Sequence, residues 1–384
     1  MGFISEQEVG TPLPLHQLYE DQFPVTRELT YLNHAAVAPL CRPAAEAMKW
    51  LADDALNYGS IHYDAWMDAY DGLRNAAARL INAQPEEIAI VKNTSEGIAT
   101  IASGLNWKPG DRVVAFKEEF PANYFPWLRL ESRGVQITWL SIYDPVEAVA
   151  AAIPGSKLLA ISHVNYLSGH RVDLDAIGAV CEQHDCFFFV DAIQGMGAFP
   201  IDVRKARIDA LAADGHKWML GPEGNGVLFV KKERLDEIEP VEFGWTNVAH
   251  YADYASRDIT LRADAGRFEC GTLNTVGCFG QRAALEFLLK VGMDRIESAV
   301  QELAERLYQG VTAKGYEVLA ERTEATGAGI VSFRHPRVDA RTIVSDLRRN
   351  RVVAAPRQGW VRMSPHFYID PAMVEHVVDL LPPV

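Results

Sequence analysis

Short apolar runs recur along the chain from residue 87 onward: EIAIV (87–91), RVVAF (112–116), QITWL (136–140), KLLAIS (157–162), FFFVD (187–191), DALAAD (209–214) and GVLFV (226–230). Helical stretches lie between several of them, among them SEGIATIASGL (95–105), PVEAVAAAI (145–153) and DLDAIGAVCEQH (173–184). Strands that are apolar on both faces and alternate with helices predict a mainly parallel sheet covered on both sides, an α/β architecture. After residue 275 the pattern changes. A long amphipathic run extends from Cys278 to about Lys314 and breaks near Gly292 and Met293. It is followed by GIVSFRH (329–335), a helical pattern over 339–350, short strands near 351–355 and 360–363, and a closing helix from Pro371 to Leu381. This predicts a smaller C-terminal α+β unit, and pockets favour such junctions.

A chain of 384 residues, 48% of them hydrophobic and 23% charged, has room for two or three domains and buries its own core, which excludes a peptide-sized binder. Acidic residues outnumber basic ones by 51 to 37, and no basic run is long enough to track a phosphate backbone, so nucleic acid is not an expected partner. Five scattered cysteines do not make a disulfide framework and fit a reducing compartment. The opening MGFISEQEVG lacks the basic flank and apolar stretch of a signal peptide, no 18-residue apolar run occurs, and Ser5 falls one position early for N-myristoylation after Gly2. The expectation is a cytoplasmic protein that does not enter the membrane.

Three segments carry chemistry. Thr94-Ser95-Glu96-Gly97 follows a strand and opens a helix, where free N–H groups and the helix dipole favour an anionic phosphate. Taken alone, an N-cap by Thr94 or Ser95 explains it as well. FFFVDAIQ delivers Asp191 to a strand end, where ligands of open α/β sheets bind, with Gln194 three residues later. A carboxylate buried there requires a cation or strong donors, and a protonated ring nitrogen is one such cation, a helix cap or structural ion pair another. At the end of the next strand, Asp214-Gly215-His216-Lys217-Trp218 precedes the loop LGPEGNG and places an amine in a pocket. Together they read as a phosphate cradle, a buried acid for a ring nitrogen and a lysine for a Schiff base.

In this combination the residues resemble the fold type I pyridoxal-phosphate enzymes, specifically the aminotransferase class V group that includes cysteine desulfurases, selenocysteine lyases, kynureninases and isopenicillin N epimerase-like proteins. The resemblance runs from YLNHAA (31–36) to VRMSPHFY (361–368). It implies a large domain (25–275) with a mainly parallel seven-stranded sheet, a small C-terminal domain (276–384) and an N-terminal arm (1–24) associated with the latter. The cofactor implied is pyridoxal 5'-phosphate. Lys217 is then the lysine that carries it and shuttles the proton, Asp191 the partner of the pyridinium nitrogen, and Gln194 a neighbour of the phenolic oxygen. Thr94, Ser95 and His216 hold the phosphate, and Phe120 stacks on the ring. Thr272 in RFECGTLNT (267–275) reaches the phosphate of a neighbouring subunit, which implies a homodimer. Arg362, and less closely Arg357, matches the arginine that grips the substrate's carboxylate through a two-bond fork.

Some positions depart from the pattern. Desulfurases carry a nucleophilic cysteine on a loop before the substrate arginine, but AAPRQGWVRM (354–363) is short and has none, which disfavours a protein persulfide. The stacking histidine of desulfurases is replaced by Phe120. Asp214 stands where desulfurases often have a phosphate-binding serine, and is expected to pair with a neighbouring cation or amide. Tyr166 stands where they tend to have an asparagine, in a stretch that looks like kynureninase. The reaction expected is therefore transamination or β-elimination of a small amino acid, with kynureninase-like hydrolysis or epimerisation as alternatives. A nicotinamide oxidoreductase and a non-catalytic scaffold are both disfavoured, the first because no GxGxxG follows a first strand and the second because Lys217 is present. No metal is expected: Cys181, His184 and Cys186 straddle a helix end and a buried strand, and structural roles are expected for His34, His62, His163 and His366.

Overall fold

The computed structural model describes residues 13–384. A two-residue strand, β1 (Thr30–Tyr31), precedes the seven that form the central sheet: β2 (Ile88–Val91), β3 (Arg112–Phe116), β4 (Gln136–Leu140), β5 (Leu158–Ser162), β6 (Phe187–Asp191), β7 (Ala210–Asp214) and β8 (Gly226–Val230). Their order is β2-β8-β7-β6-β5-β3-β4. The pairs from β7 through β6, β5 and β3 to β4 are parallel, and β8 alone runs against its neighbours β7 and β2. The reversal has a local cause. Only the loop 215–225 joins β7 to β8, too short for the dozen or more residues of a crossover, so the chain returns as an antiparallel strand.

Both faces of the sheet are covered, as runs without a polar face require. Ile88, Ile90, Val114 and Phe116 enter the core on one side, while Ala89, Val91, Val113 and Ala115 enter a second core on the other. On the larger side the helices Arg42–Tyr58 and Tyr63–Ile81 pack on the helix Thr275–Val291. That helix ends at Gly292, whose φ of 94° lies in the region only glycine adopts freely, and the helix Met293–Ala313 begins at the next residue. The expected division at 275/276 falls at the start of the first of these helices.

In the C-terminal unit β9 (Glu317–Val318), β10 (Val331–Arg334), β12 (Ala355–Arg357) and β13 (Trp360–Met363) form an antiparallel sheet, while β11 (Val352–Val353) pairs in parallel with β1. The helices Ala340–Arg349 and Pro371–Leu380 complete the unit. Much of the expected arm 1–24 lies outside the described residues. Its described part packs against residues from the C-terminal half: Phe23 stacks on Tyr368 with ring centroids 3.6 Å apart, and Tyr19 meets Phe287 and Phe367 edge-on.

Two buried histidines tie these pieces together, one of them to the turn that bears Lys217. His34 Nδ1 lies 2.8 Å from the Ser364 carbonyl and its Nε2 2.6 Å from the Tyr368 hydroxyl. The carbonyl accepts from Nδ1–H, so the Tyr368 hydroxyl donates to Nε2. His366 Nε2–H donates to the Trp218 carbonyl at 3.0 Å, while its Nδ1 accepts the Phe367 N–H. Both rings are neutral in this arrangement. Burial holds His34 well below the usual imidazole range and takes His366 down to about 4.

Candidate functional site

The C-terminal ends of β6 and β7 open onto a cavity of about 420 Å³. Its lining includes Thr94, Ser95, Phe120, Asp191, Gln194, His216 and Lys217 from the large sheet's loops, with Arg357 and Arg362 from the C-terminal unit. Thus all the sequence-derived site residues but Thr272 converge. Thr272 is exposed and borders a separate cavity with Tyr70, Arg74 and Trp245.

The helix Thr94–Gly104 points its N-terminus into the cavity because it packs closely on β7. A Cβ at Gly97 would stand 2.7 Å from the Cβ of Ala212. The cap is neither Thr94 nor Ser95: the Asn93 side chain accepts the Glu96 N–H at 2.9 Å. This frees the Thr94 hydroxyl, which is buried without a hydrogen-bond partner. An orphaned donor beside free helix N–H groups suits an anion.

Asp191 ends β6 and is 2% exposed. Its Oδ1 accepts the Ile193 N–H at 3.1 Å. Burial raises its carboxyl to about 6 despite that bond and the nearby Lys217 amine, so the carboxylate lacks a close cation. Gln194 is engaged at both ends: Nε2 donates to the Ala35 carbonyl at 3.0 Å and Oε1 accepts the Trp218 indole N–H at 2.9 Å. One N–H of its amide is left for the cavity.

Lys217 sits on a tight turn. Gly215 permits it, since a Cβ there would meet Gln281 Oε1 at 1.7 Å, and Leu220 N–H donates back to the Lys217 carbonyl at 3.0 Å. Leu220 has φ 59°, strained for a leucine, and such strain gathers at functional sites. The Lys217 amine lies 5.8 Å from the Phe120 ring centroid. Burial lowers its pKa to about 8, with Arg362 and Arg357 acting in the same direction and Asp191 and Asp214 opposing. Asp214 Oδ1 lies 3.1 Å from His216 Nδ1 in its own segment, but neither atom makes a hydrogen bond.

Arg362 is 2% exposed, donates Nη1–H to the Tyr166 carbonyl at 2.6 Å and leaves Nε buried without a partner. Burial, and then Arg357, bring its guanidinium down to about 10. Among the described residues no carboxylate pairs with Arg362 or Arg357, so the cavity holds two uncompensated cations opposite Asp191. Tyr166 meets Phe120 edge-on at 5.3 Å and accepts from Gln358 Nε2–H at 2.7 Å, closing one wall. Ala35, Ala36 and Val37 also line the cavity, and Glu119 is buried just behind it. None of these four was singled out from the sequence. The doublet Glu118-Glu119 next to Phe120 was the available signal for Glu119.

Comparison with known proteins agrees with this geometry. Residues 30–359 match the family described as aminotransferase class-V. A probable cysteine desulfurase of Pyrococcus abyssi is 31% identical over 341 residues, covering 86% of this chain and 84% of the relative. Among solved structures, a cysteine desulfurase from Thermococcus onnurineus superposes with a TM-score of 0.88 at 26% identity, covering 96% of this chain and 98% of that one. A cystine C–S lyase in complex with its product cysteine persulfide gives 0.86 at 26% identity, covering 93% and 98%. In another structure of the same lyase, glycine is covalently linked to its pyridoxal phosphate cofactor.

The electrostatics of Lys217 can be tested without any ligand. In cofactor-free protein its amine should react with an acylating reagent with a pH midpoint at about 8. Removing a neighbouring positive charge by Arg362→Gln should raise the midpoint, and removing a negative one by Asp191→Asn should lower it. A midpoint in the ordinary lysine range, unmoved by either change, would contradict the geometry.

Proposed function

The chain belongs to the aminotransferase class-V family and is a pyridoxal-phosphate enzyme, and from that premise we propose that it cleaves a C–S bond in a small sulfur-containing amino acid by β-elimination. The observation that carries the reading is the combination, in one cavity, of an amine, a buried acid and two unpaired guanidiniums with no cysteine on the wall.

The residues fit the cofactor. The partnerless Thr94 hydroxyl, Ser95 and His216 would hold its phosphate at the helix N-terminus, and Asp191 would take the protonated ring nitrogen as the cation it lacks. Phe120 would lie against the ring, and Lys217 would carry the cofactor. When bound, pyridoxal phosphate supplies an electron sink for negative charge at the substrate's α-carbon. Lys217 Nζ, brought down to about 8 by burial, is suited both to take the α-proton and to return it. Arg362 would grip the α-carboxylate and orient the C–H bond toward that amine, while Phe120 and Tyr166 narrow the access of water.

Elimination without a protein persulfide is supported by where the thiols are. Cys41, Cys181, Cys186 and Cys278 are buried, and Cys270, partly exposed, donates to Glu242 at 3.2 Å outside the cavity. The sulfur would therefore leave with its electron pair on a small molecule, as cysteine persulfide does in the related lyase. With cystine, breaking one C–S bond yields cysteine persulfide, and hydrolysis of the remaining three-carbon fragment yields pyruvate and ammonia.

We also propose that two copies associate, with Thr272 completing the partner's phosphate site. Supporting this are the exposed Tyr58, Ile61, Tyr63, Trp245 and Tyr254, an unusual set of apolar side chains to leave in water. Thr272→Ala should then weaken pyridoxal-phosphate retention in a dimer of unchanged mass, although Thr272 lies outside its own chain's cavity. Monomeric protein with full cofactor affinity would contradict it.

The reaction is tested by incubating the holoenzyme with cysteine, cystine and other amino acids and analysing products. From cystine, pyruvate, ammonia and persulfide sulfur in equal amounts are expected, and from cysteine pyruvate, ammonia and sulfide. Sulfur bound to a protein cysteine, or conversion of the cofactor to its amine form with release of a keto acid, would overturn the proposal. In the same assay Arg362→Lys should weaken amino-acid binding by roughly tenfold, since an ammonium does not reproduce the planar fork, yet leave binding of the decarboxylated amine unchanged. Equal losses for both ligands would remove Arg362 from the carboxylate site.

A further inference from the structure

Beside Asp191 lies a second buried acid to which the roles above give no work. Glu119, between β3 and the short turn Pro121–Asn123, is 6% exposed. Its Oε1 accepts the Ser162 N–H at 2.6 Å, and its Oε2 is hydrogen-bonded to the Ser162 hydroxyl. Ser162 closes β5 and stands directly across the β5–β6 ladder from Asp191. The Asn123 amide, whose N–H has no other partner, also faces Glu119. The charge that acts on it comes from Asp191, and among the described residues no lysine, arginine or histidine lies within ion-pair distance of it.

Two carboxyls held close together in a water-poor site do not both ionise at neutral pH. One of them keeps a proton, and surroundings decide which. Asp191 has the Lys217 amine nearby and the cavity before it, whereas Glu119 has neither. Burial, reinforced by Asp191 and outweighing the opposing donors from Ser162 and Asn123, pushes Glu119 up to about 8, and Asp191 rises only to about 6.

We propose that Glu119 is the neutral member of a buried carboxyl pair, holding the proton so that Asp191 alone carries the negative charge offered to the cofactor's ring nitrogen. Glu119 is a positioning residue in this scheme: it touches Ser162, and through the strand ladder fixes the place and the charge of Asp191. The proposal rests on the assignment of Asp191 to the ring nitrogen.

The sign of the pH effect follows from linkage. The folded chain keeps this proton up to about pH 8, while the unfolded chain releases it near the ordinary carboxyl value of 4.5. Stability from this group is complete below the lower value and is lost as pH rises through the window. Glutamine copies the neutral acid, accepting from Ser162 N–H and donating to its hydroxyl, and cannot ionise. Glu119→Gln should therefore flatten the fall in melting temperature between pH 4.5 and pH 8.

The direct test is infrared spectroscopy of the cofactor-free full-length chain, combined with pyridoxal-phosphate titration. The wild type should show the carbonyl stretch of a protonated carboxylic acid at neutral pH, fading as the pH passes about 8, and Glu119→Gln should lack it. Glu119→Gln should bind pyridoxal phosphate within about twofold of the wild type, while Glu119→Ala, which strips Ser162 of its partner, should bind roughly tenfold more weakly. An unchanged carbonyl band in Glu119→Gln, or equal loss of affinity in both variants, would overturn the proposal. If Glu119→Ala does not fold, the band and the Gln variant's affinity still decide. The infrared band is read without cofactor, so its failure removes the carboxyl pair itself. Undiminished pyridoxal-phosphate affinity in Asp191→Asn would instead remove the assignment of Asp191.

Discussion

The arrangement depends on a buried carboxylate and a partly buried amine being kept in one cleft without enough partners of their own. Asp191 has one backbone donor and no close cation, Lys217 has lost much of its hydration, and each pays in its titration for that position. A fold tolerates such groups only where something else completes them. The surroundings are organised to the same end: Gly97 lets the helix Thr94–Gly104 close on β7, Asn93 takes over the capping so that Thr94 is left free, and Gly215 with the strained Leu220 holds the turn that aims Lys217. Three unsatisfied features, an anion cradle, an acid and an amine, thus face one cavity, and the proposed placement gives them the phosphate, ring nitrogen and aldehyde of a single cofactor.

The same cavity is built from two units, and their attachment runs under the chemistry. His366 reaches from the C-terminal unit to the Trp218 carbonyl, one residue from Lys217, and His34 joins the N-terminal segment to Ser364 and Tyr368 in that unit. Arg362 is two residues from Ser364 on the same stretch of chain. Arg362 is therefore registered against the Lys217 turn through neutral, fully buried hydrogen bonds, which salt does not weaken as it does the surface ion pair Arg351–Glu28.

Most of the large sheet was legible because its strands are continuous apolar runs, and each of the seven predicted runs became a strand of the central sheet. The reversed direction of β8 was less evident. Its signal, a link of only 215–225 between two strands, lies in the connection rather than in the strand. The residues that converge on the cavity were readable where chemistry and position coincide, as with Lys217 and Asp191 near strand ends. Glu119 escaped because the residue that makes it significant, Ser162, is 43 positions away and enters only through strand pairing. The N-cap was misassigned to Thr94 or Ser95 because Asn93, an equally good capping residue, immediately precedes them, and only the geometry separates the three.

Everything proposed for the cavity requires that Lys217, and no other lysine, carries the cofactor. Reducing the holoenzyme with borohydride and mapping the peptides by mass spectrometry tests it most directly. A pyridoxyl group is expected on the peptide containing Gly215-His216-Lys217-Trp218, and its loss from that peptide in Lys217→Ala. The label on a different lysine, or no label with pyridoxal phosphate in excess, would contradict it.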